Sequence, residues 1–186
     1  FDSETDYYVQ IPATAFDDAS GNSYAGITDT KALSFTTADI GAPTLDSSSP
    51  TDNSTAVAVD SNIILNFSEA VDVETGNIII KKTSDDATVE TIDITSSQVT
   101  GTGTNQITIN PTNNLDSSTE YYVLIDATSF DDASGNSYAG ITDTKALSFT
   151  TADIGAPTLD SSSPTDNSTA VAVDSNIILN FSEAVD

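Results

Sequence analysis

From Asn62 to Phe67 the chain alternates, with Ile63, Leu65 and Phe67 on one face and Asn62 and Asn66 on the other. Alternation with period two predicts a strand that buries one side. Short runs of the same kind follow at 76–82, 88–94, 106–111, 119–125 and 145–151. Val57 and Val59 mark an opening strand after Pro50. Gly, Asn, Asp and Ser fill the intervals, as they do where strands turn. No stretch combines helical periodicity with a capping box. The pattern therefore predicts an all-β chain.

The strand pattern recurs because the sequence does. The segment from Phe16 to Asp72 appears again, unchanged, from Phe130 to Asp186, an offset of 114 residues. Extending the comparison back to Phe1 and Leu115 adds only six differences, among them Glu4 against Ser118. A fixed period of this kind signals tandem copies of one structural unit. Cutting at the two "ADIGAPT" segments, where Gly and Pro interrupt the strand pattern, divides the chain. Residues 1–43 are then the end of one repeat, 44–157 a complete repeat, and 158–186 the start of a third. About seven strands in one period predict a two-sheet Greek-key β-sandwich. "LDSSTEYYV" places Leu115 six residues before Tyr121, a spacing like the tyrosine corner of such sandwiches. An aromatic packed in a strand core would give the same local pattern.

Composition narrows the chemistry. The chain has 29 Asp plus Glu against 4 Lys plus Arg, a formal charge of −25. That field repels phosphate backbones and anionic lipid, so nucleic acid and membrane surfaces are poor partners and cations are good ones. No run of apolar residues is long enough to span a bilayer. Cysteine and histidine are both absent. Their absence removes disulfides, thiolate nucleophiles and every His-based triad. Only a paired-carboxylate mechanism such as glycoside hydrolysis remains for an enzyme, and that requires a specialised cleft. A small sandwich copied nearly verbatim supplies length or valency instead, so no enzymatic activity is expected.

Several marks together resemble a known family: the AP-T linker at 42–44, P-x-D-x-x-x-x-V at 50–57, F-S-E-x-V at 67–71 and D-x-x-G-N at 132–136. They are similar to the bacterial Ig-like domain of the S-layer type, which also forms tandem extender regions of large bacterial surface adhesins. The resemblance covers the complete repeat and both partial ones. It implies Ig-like or fibronectin III-like sandwiches of about seven strands in an extracellular or cell-surface protein. The function it implies is that of a non-catalytic extender, whose partners are the neighbouring repeats. Strands of about seven residues plus loops would add roughly 35–45 Å per repeat. The Cys-Trp-Cys pattern of antibody domains is missing.

In that topology the loop 68–77, the loop 131–140 and the incoming linker 38–44 meet at one pole. Asp39, Glu69, Asp72, Asp131, Asp132 and Asn136 are the candidate ligands there, with Glu74 nearby. Crowded carboxylates repel unless they share a cation, and hard oxygen ligands in high coordination describe Ca2+. Calcium would stiffen a linker that Gly41 otherwise leaves free to hinge. "DDASGN" is equally an ordinary Asx-type turn. "TGTGT" at 100–104 reads as a hairpin edge, with Gly marking a bend. The sequons at 53–55 and 66–68 fit chance in so Asn- and Ser-rich a chain. An alternative function is self-assembly, as a filament or S-layer-type subunit whose incomplete ends pair between chains. Against simple complementation, the two ends leave 42 residues of the period unsupplied.

Overall fold

A computed structural model describes residues 1–186. All elements are strands. They are β1 (Asp6–Tyr8), β2 (Ser34–Thr36), β3 (Leu45–Ser49), β4 (Ser54–Val57), β5 (Ile63–Val73), β6 (Asn77–Lys82) and β7 (Thr88–Asp93). Then follow β8 (Val99–Thr100), β9 (Thr104–Ile109), β10 (Glu120–Ile125), β11 (Phe130–Asp131), β12 (Ser148–Thr151), β13 (Leu159–Ser163) and β14 (Ile178–Phe181).

The strands from β3 to β12 form two sheets. One has the order β4-β12-β10-β6-β7, and the other has the order β11-β5-β9-β8, with β3 also paired to β5. The β12–β4 pairing is parallel and the rest are antiparallel. Inward positions alternate along each strand, as a half-buried sheet requires. Ile63, Leu65, Phe67 and Val71 come from β5, Ile78 and Ile80 from β6, and Ile107 and Ile109 from β9. Tyr121, Val123 and Ile125 from β10 and Phe149 from β12, in the same sheet as β6, face β5 and β9 across the core. Phe67 packs against Phe130 and Tyr138 at 5.2 and 5.1 Å between ring centroids, tilted and edge-on as aromatic quadrupoles prefer.

The expected tyrosine corner is present. The backbone N–H of Asp116 donates to the Tyr121 phenol oxygen at 2.8 Å, and Leu115 is buried beside it. The first repeat keeps the bond, from Asp2 to Tyr7, also at 2.8 Å. The glycine-threonine run is a tight turn between β8 and β9, where Gly101 at φ 107° abuts the Gln106 carbonyl.

Two expectations need correction. Residues 68–73 are not loop: β5 continues through them to Val73, leaving only Glu74–Gly76 before β6. Three short strands, β3, β8 and β11, also escape the sequence pattern, because each holds a single apolar residue and is carried by pairing to a longer neighbour.

The flanking pieces form two-stranded sheets, β1-β2 and β13-β14. Their apolar residues repeat those of the central core yet lie exposed. Phe16 is 63% exposed where Phe130 is fully buried, and Leu179 is 50% exposed where Leu65 is fully buried.

Candidate metal centre at the repeat junction

The linker is tied to the repeats on both sides. Within the preceding piece, the Ser3 hydroxyl accepts from the Ile40 N–H at 2.9 Å and lies 3.3 Å from both the Ala38 carbonyl and Asp39 Oδ1. Asp39 Oδ1 accepts from the Gly41 N–H at 2.8 Å. On the following side, Thr44 donates to Ser68 Oγ at 3.0 Å, and Ser68 returns a backbone bond to the Thr44 carbonyl. The Asn136 amide also reaches the Asp39 carbonyl at 3.4 Å. These bonds constrain a segment that Gly41 alone would leave free.

Three carboxylates converge here. Oxygens of Asp39, Glu69 and Asp132 all lie within 4.8 Å of one another. Asp39 comes from the linker, Glu69 from β5 and Asp132 from the loop after β11. Asp132 is held by an Asx turn, its carboxylate accepting from the backbone N–H groups of Ser134 and Asn136 and from the Asn136 amide, each at 2.8 Å. Those bonds, led by the Asn136 amide, outweigh burial and hold its pKa below the ordinary value. Glu69 is shifted the other way. Partial burial, then the charges of Asp132, Asp39 and Glu4, push its pKa up. Burial and neighbouring like charge both raise a carboxyl's pKa, and at Glu69, unlike Asp132, no hydrogen bond offsets them.

The other two acids stand apart from this group. Asp72 and Asp131 face each other across the β5–β11 pairing. Asp72 accepts from the Thr102 hydroxyl at 3.1 Å, and Asp131 Oδ1 is buried without a partner. Successive strand side chains point to opposite faces. Asp72 follows the buried Val71 and Asp131 follows the buried Phe130, so proximity in sequence does not bring them to the site. Asn136 does belong to it, through its bonds to Asp132 and Asp39.

The Asx turn is not itself a mark of metal. Asp18 and Asn22 form the same turn in the first piece, with no linker or glutamate beside it, and its bonds lower the Asp18 pKa in the same way. What distinguishes the junction is the arrival of Asp39 and Glu69. The second junction repeats the arrangement as far as the chain extends. Asp153 bonds Ser117 and the Gly155 N–H, and Glu183 lies within hydrogen-bonding reach of it. Ser3, Ser68 and Glu4 were not among the sequence candidates. Serine is too common in this chain to stand out, and only its recurrence at Ser117 and Ser182 marks it.

Comparison with known proteins now places the fold. A family model described as bacterial Ig-like domain matches residues 39–151 and 153–186. The chain belongs to the bacterial Ig-like domain family. No curated protein matches it in sequence. Among solved structures it is similar to CopC from Methylosinus trichosporium OB3b, with 16% identity and a TM-score of 0.44, over 61% of this chain and 97% of that one. It is also similar to the S-layer protein rSbsC(31-844), with 16% identity and a TM-score of 0.40, over 64% of this chain and 16% of that one. No helix is long and apolar enough to cross a membrane.

Proposed function

We propose that this stretch of bacterial Ig-like repeats is a non-catalytic extender of a secreted or surface-anchored bacterial adhesin, whose junctions calcium stiffens. One observation carries the reading: carboxylates from a linker and from the repeat that follows it meet within 4.8 Å. Three like charges brought together from separate elements repel, and a shared divalent cation removes the repulsion. Oxygen donors alone, with carboxylates and carbonyls available, suit Ca2+ rather than a softer metal. Near-verbatim repetition supports a spacer role, since each copy adds length without adding a new pocket.

Melting the chain in calcium and in chelator tests the site. Calcium at a hundredfold excess over its dissociation constant should stabilise the folded state by about 2.7 kcal/mol. A melting temperature indifferent to millimolar calcium would remove the metal from this account and leave the spacer role standing.

A further inference from the structure

A polar cavity lies away from the junction, on the outer face of the sheet β4-β12-β10-β6-β7. Tyr121, Val123 and Phe149 point into the core, so Tyr122 on β10 and Ser148 on β12 point outward and form the cavity floor. Thr83 in the β6–β7 turn and Thr144 in the loop before β12 stand at its sides. Its volume is about 510 Å³, within the roughly 300–1,000 Å³ of small-molecule sites. Every lining residue belongs to the complete repeat.

The floor is fixed by the protein's own bonds. Tyr122 donates its phenol hydrogen to Asp86, and Lys81 pairs with the same carboxylate at 2.8 Å. Asp86 turns the hairpin at φ 60°, a left-handed conformation uncommon outside glycine, and these two partners hold its carboxylate in place. The Asp86 side chain is nevertheless 71% exposed, so a positioned acceptor faces the cavity. Ser148 donates its hydroxyl to Asp52 at 3.0 Å, which leaves its oxygen free to accept.

The rim is unfilled. The side chains of Thr83, Glu120, Thr144 and Lys145 make no hydrogen bond or ion pair within the protein. Lys145 is the single basic residue of the complete repeat without a carboxylate partner. An apolar ligand would strip water from these groups without replacing its bonds. An anionic ligand would meet Asp86, Glu120 and the chain's −25 charge. A cationic one would meet Lys145 and find Asp86 already paired with Lys81. A neutral polyol avoids all three: carboxylates accept from its hydroxyls, Lys145 donates to them, and Ser and Thr do either. Tyr122 is only 4% exposed, with Lys81 5.9 Å from its ring centroid, so hydrogen bonds rather than stacking must carry recognition.

We propose that this cavity is a subsite for a neutral saccharide ring, recognised through Asp86, Glu120, Lys145 and the hydroxyls between them. The preceding repeat carries the same residue types, with Tyr8, Thr30, Lys31 and Ser34 at the places of Tyr122, Thr144, Lys145 and Ser148. Asp6 keeps a carboxylate at the place of Glu120. Near-identical repeats thus multiply one weak site, and several sites engaging one glycan bind more tightly than any alone. The cavity uses none of the carboxylates in the calcium reading and stands apart from it.

Amide chemical-shift titration of the chain in chelator tests the site, with the methyl glycosides of glucose, galactose, mannose and N-acetylglucosamine as neutral probes. Methyl glucuronide is the anionic arm. At least one neutral glycoside should give saturable shifts at Thr83, Asp86, Tyr122 and Lys145, and the glucuronide should bind more weakly. Lys145→Ala and Glu120→Ala each remove a charged hydrogen-bonding group and should weaken binding by about tenfold. Both side chains are exposed and unbonded, so the melting temperature should not move. No saturable shift with any of the neutral glycosides, shifts centred elsewhere, parental binding in both variants, or a glucuronide that binds as tightly would each overturn the proposal.

Discussion

Asp132 combines two roles that substitution can separate. Its carboxylate closes an Asx turn and also faces Asp39 and Glu69. Asp132→Asn keeps an oxygen for the Ser134 and Asn136 N–H groups but removes a charge. In chelator its melting temperature should fall slightly, because the folded state favours the carboxylate, and the calcium-induced rise should disappear. Asp132→Ala should lower the melting temperature in both conditions. A full calcium response in Asp132→Asn would place the ion elsewhere. Glu69 makes a separate prediction, through pH. Its pKa is raised in the folded state, so folding favours its protonated form. Metal-free stability should rise as pH falls through that raised value toward the ordinary 4.5. Asp132 has the opposite sign: its contribution is present above its ordinary 3.8 and lost as pH falls through its lowered folded value. Thermal melts in chelator from neutral to acid pH should therefore show a rise, then a fall. Glu69→Gln should flatten the rise alone, and a rise that persists in this variant would assign it to another group.

Individual elements owe their stability to a few side chains. Tyr121→Phe leaves the Asp116 N–H without its acceptor and should cost about 1 kcal/mol in a denaturant melt. Phe67→Ala removes an aromatic from between Phe130 and Tyr138 and should cost about 3–5 kcal/mol. The same scale explains what the sequence made visible. Strands that bury one face print alternation directly, and Ile63, Leu65 and Phe67 did so. The extension of β5 was hidden because Glu69 takes the inward-parity position between Phe67 and Val71. An acid there reads as loop until the face is seen to open at the junction. β3 was hidden for the reverse reason: Leu45 is followed by Asp46 and three serines, and pairing to β5 holds the strand without a full apolar face. At the site, three acidic segments were legible from their spacing. Which acids of each segment converge was not, because strand parity turns Asp72 and Asp131 away from Glu69 and Asp132.

Across the whole molecule, the serine bonds and the proposed calcium site bear on one linker, and they should answer to different perturbations. Serine bonds tie the linker to the preceding repeat through Ser3 or Ser117, and to the following one through Ser68 or Ser182. They are neutral and should survive chelation. On the proposed calcium reading, the carboxylates should act in the opposite sense without metal, by repulsion, and in the same sense with it. Inter-domain motion is the default across small interfaces, so either device should be visible as reduced bending. In a chain of three complete repeats joined at the native junction, small-angle scattering should report an extended particle, its distance distribution sharpened by calcium. Ser117→Ala at each junction should broaden the distribution in chelator while leaving the calcium effect on melting intact. Asp153→Ala removes a carboxylate and the acceptor of the Gly155 N–H together, so it should abolish the calcium effect and broaden the distribution in both conditions. If Ser117→Ala also abolished the calcium response, the serine bonds and the metal would be a single device. A compact particle in calcium would overturn the extender reading itself.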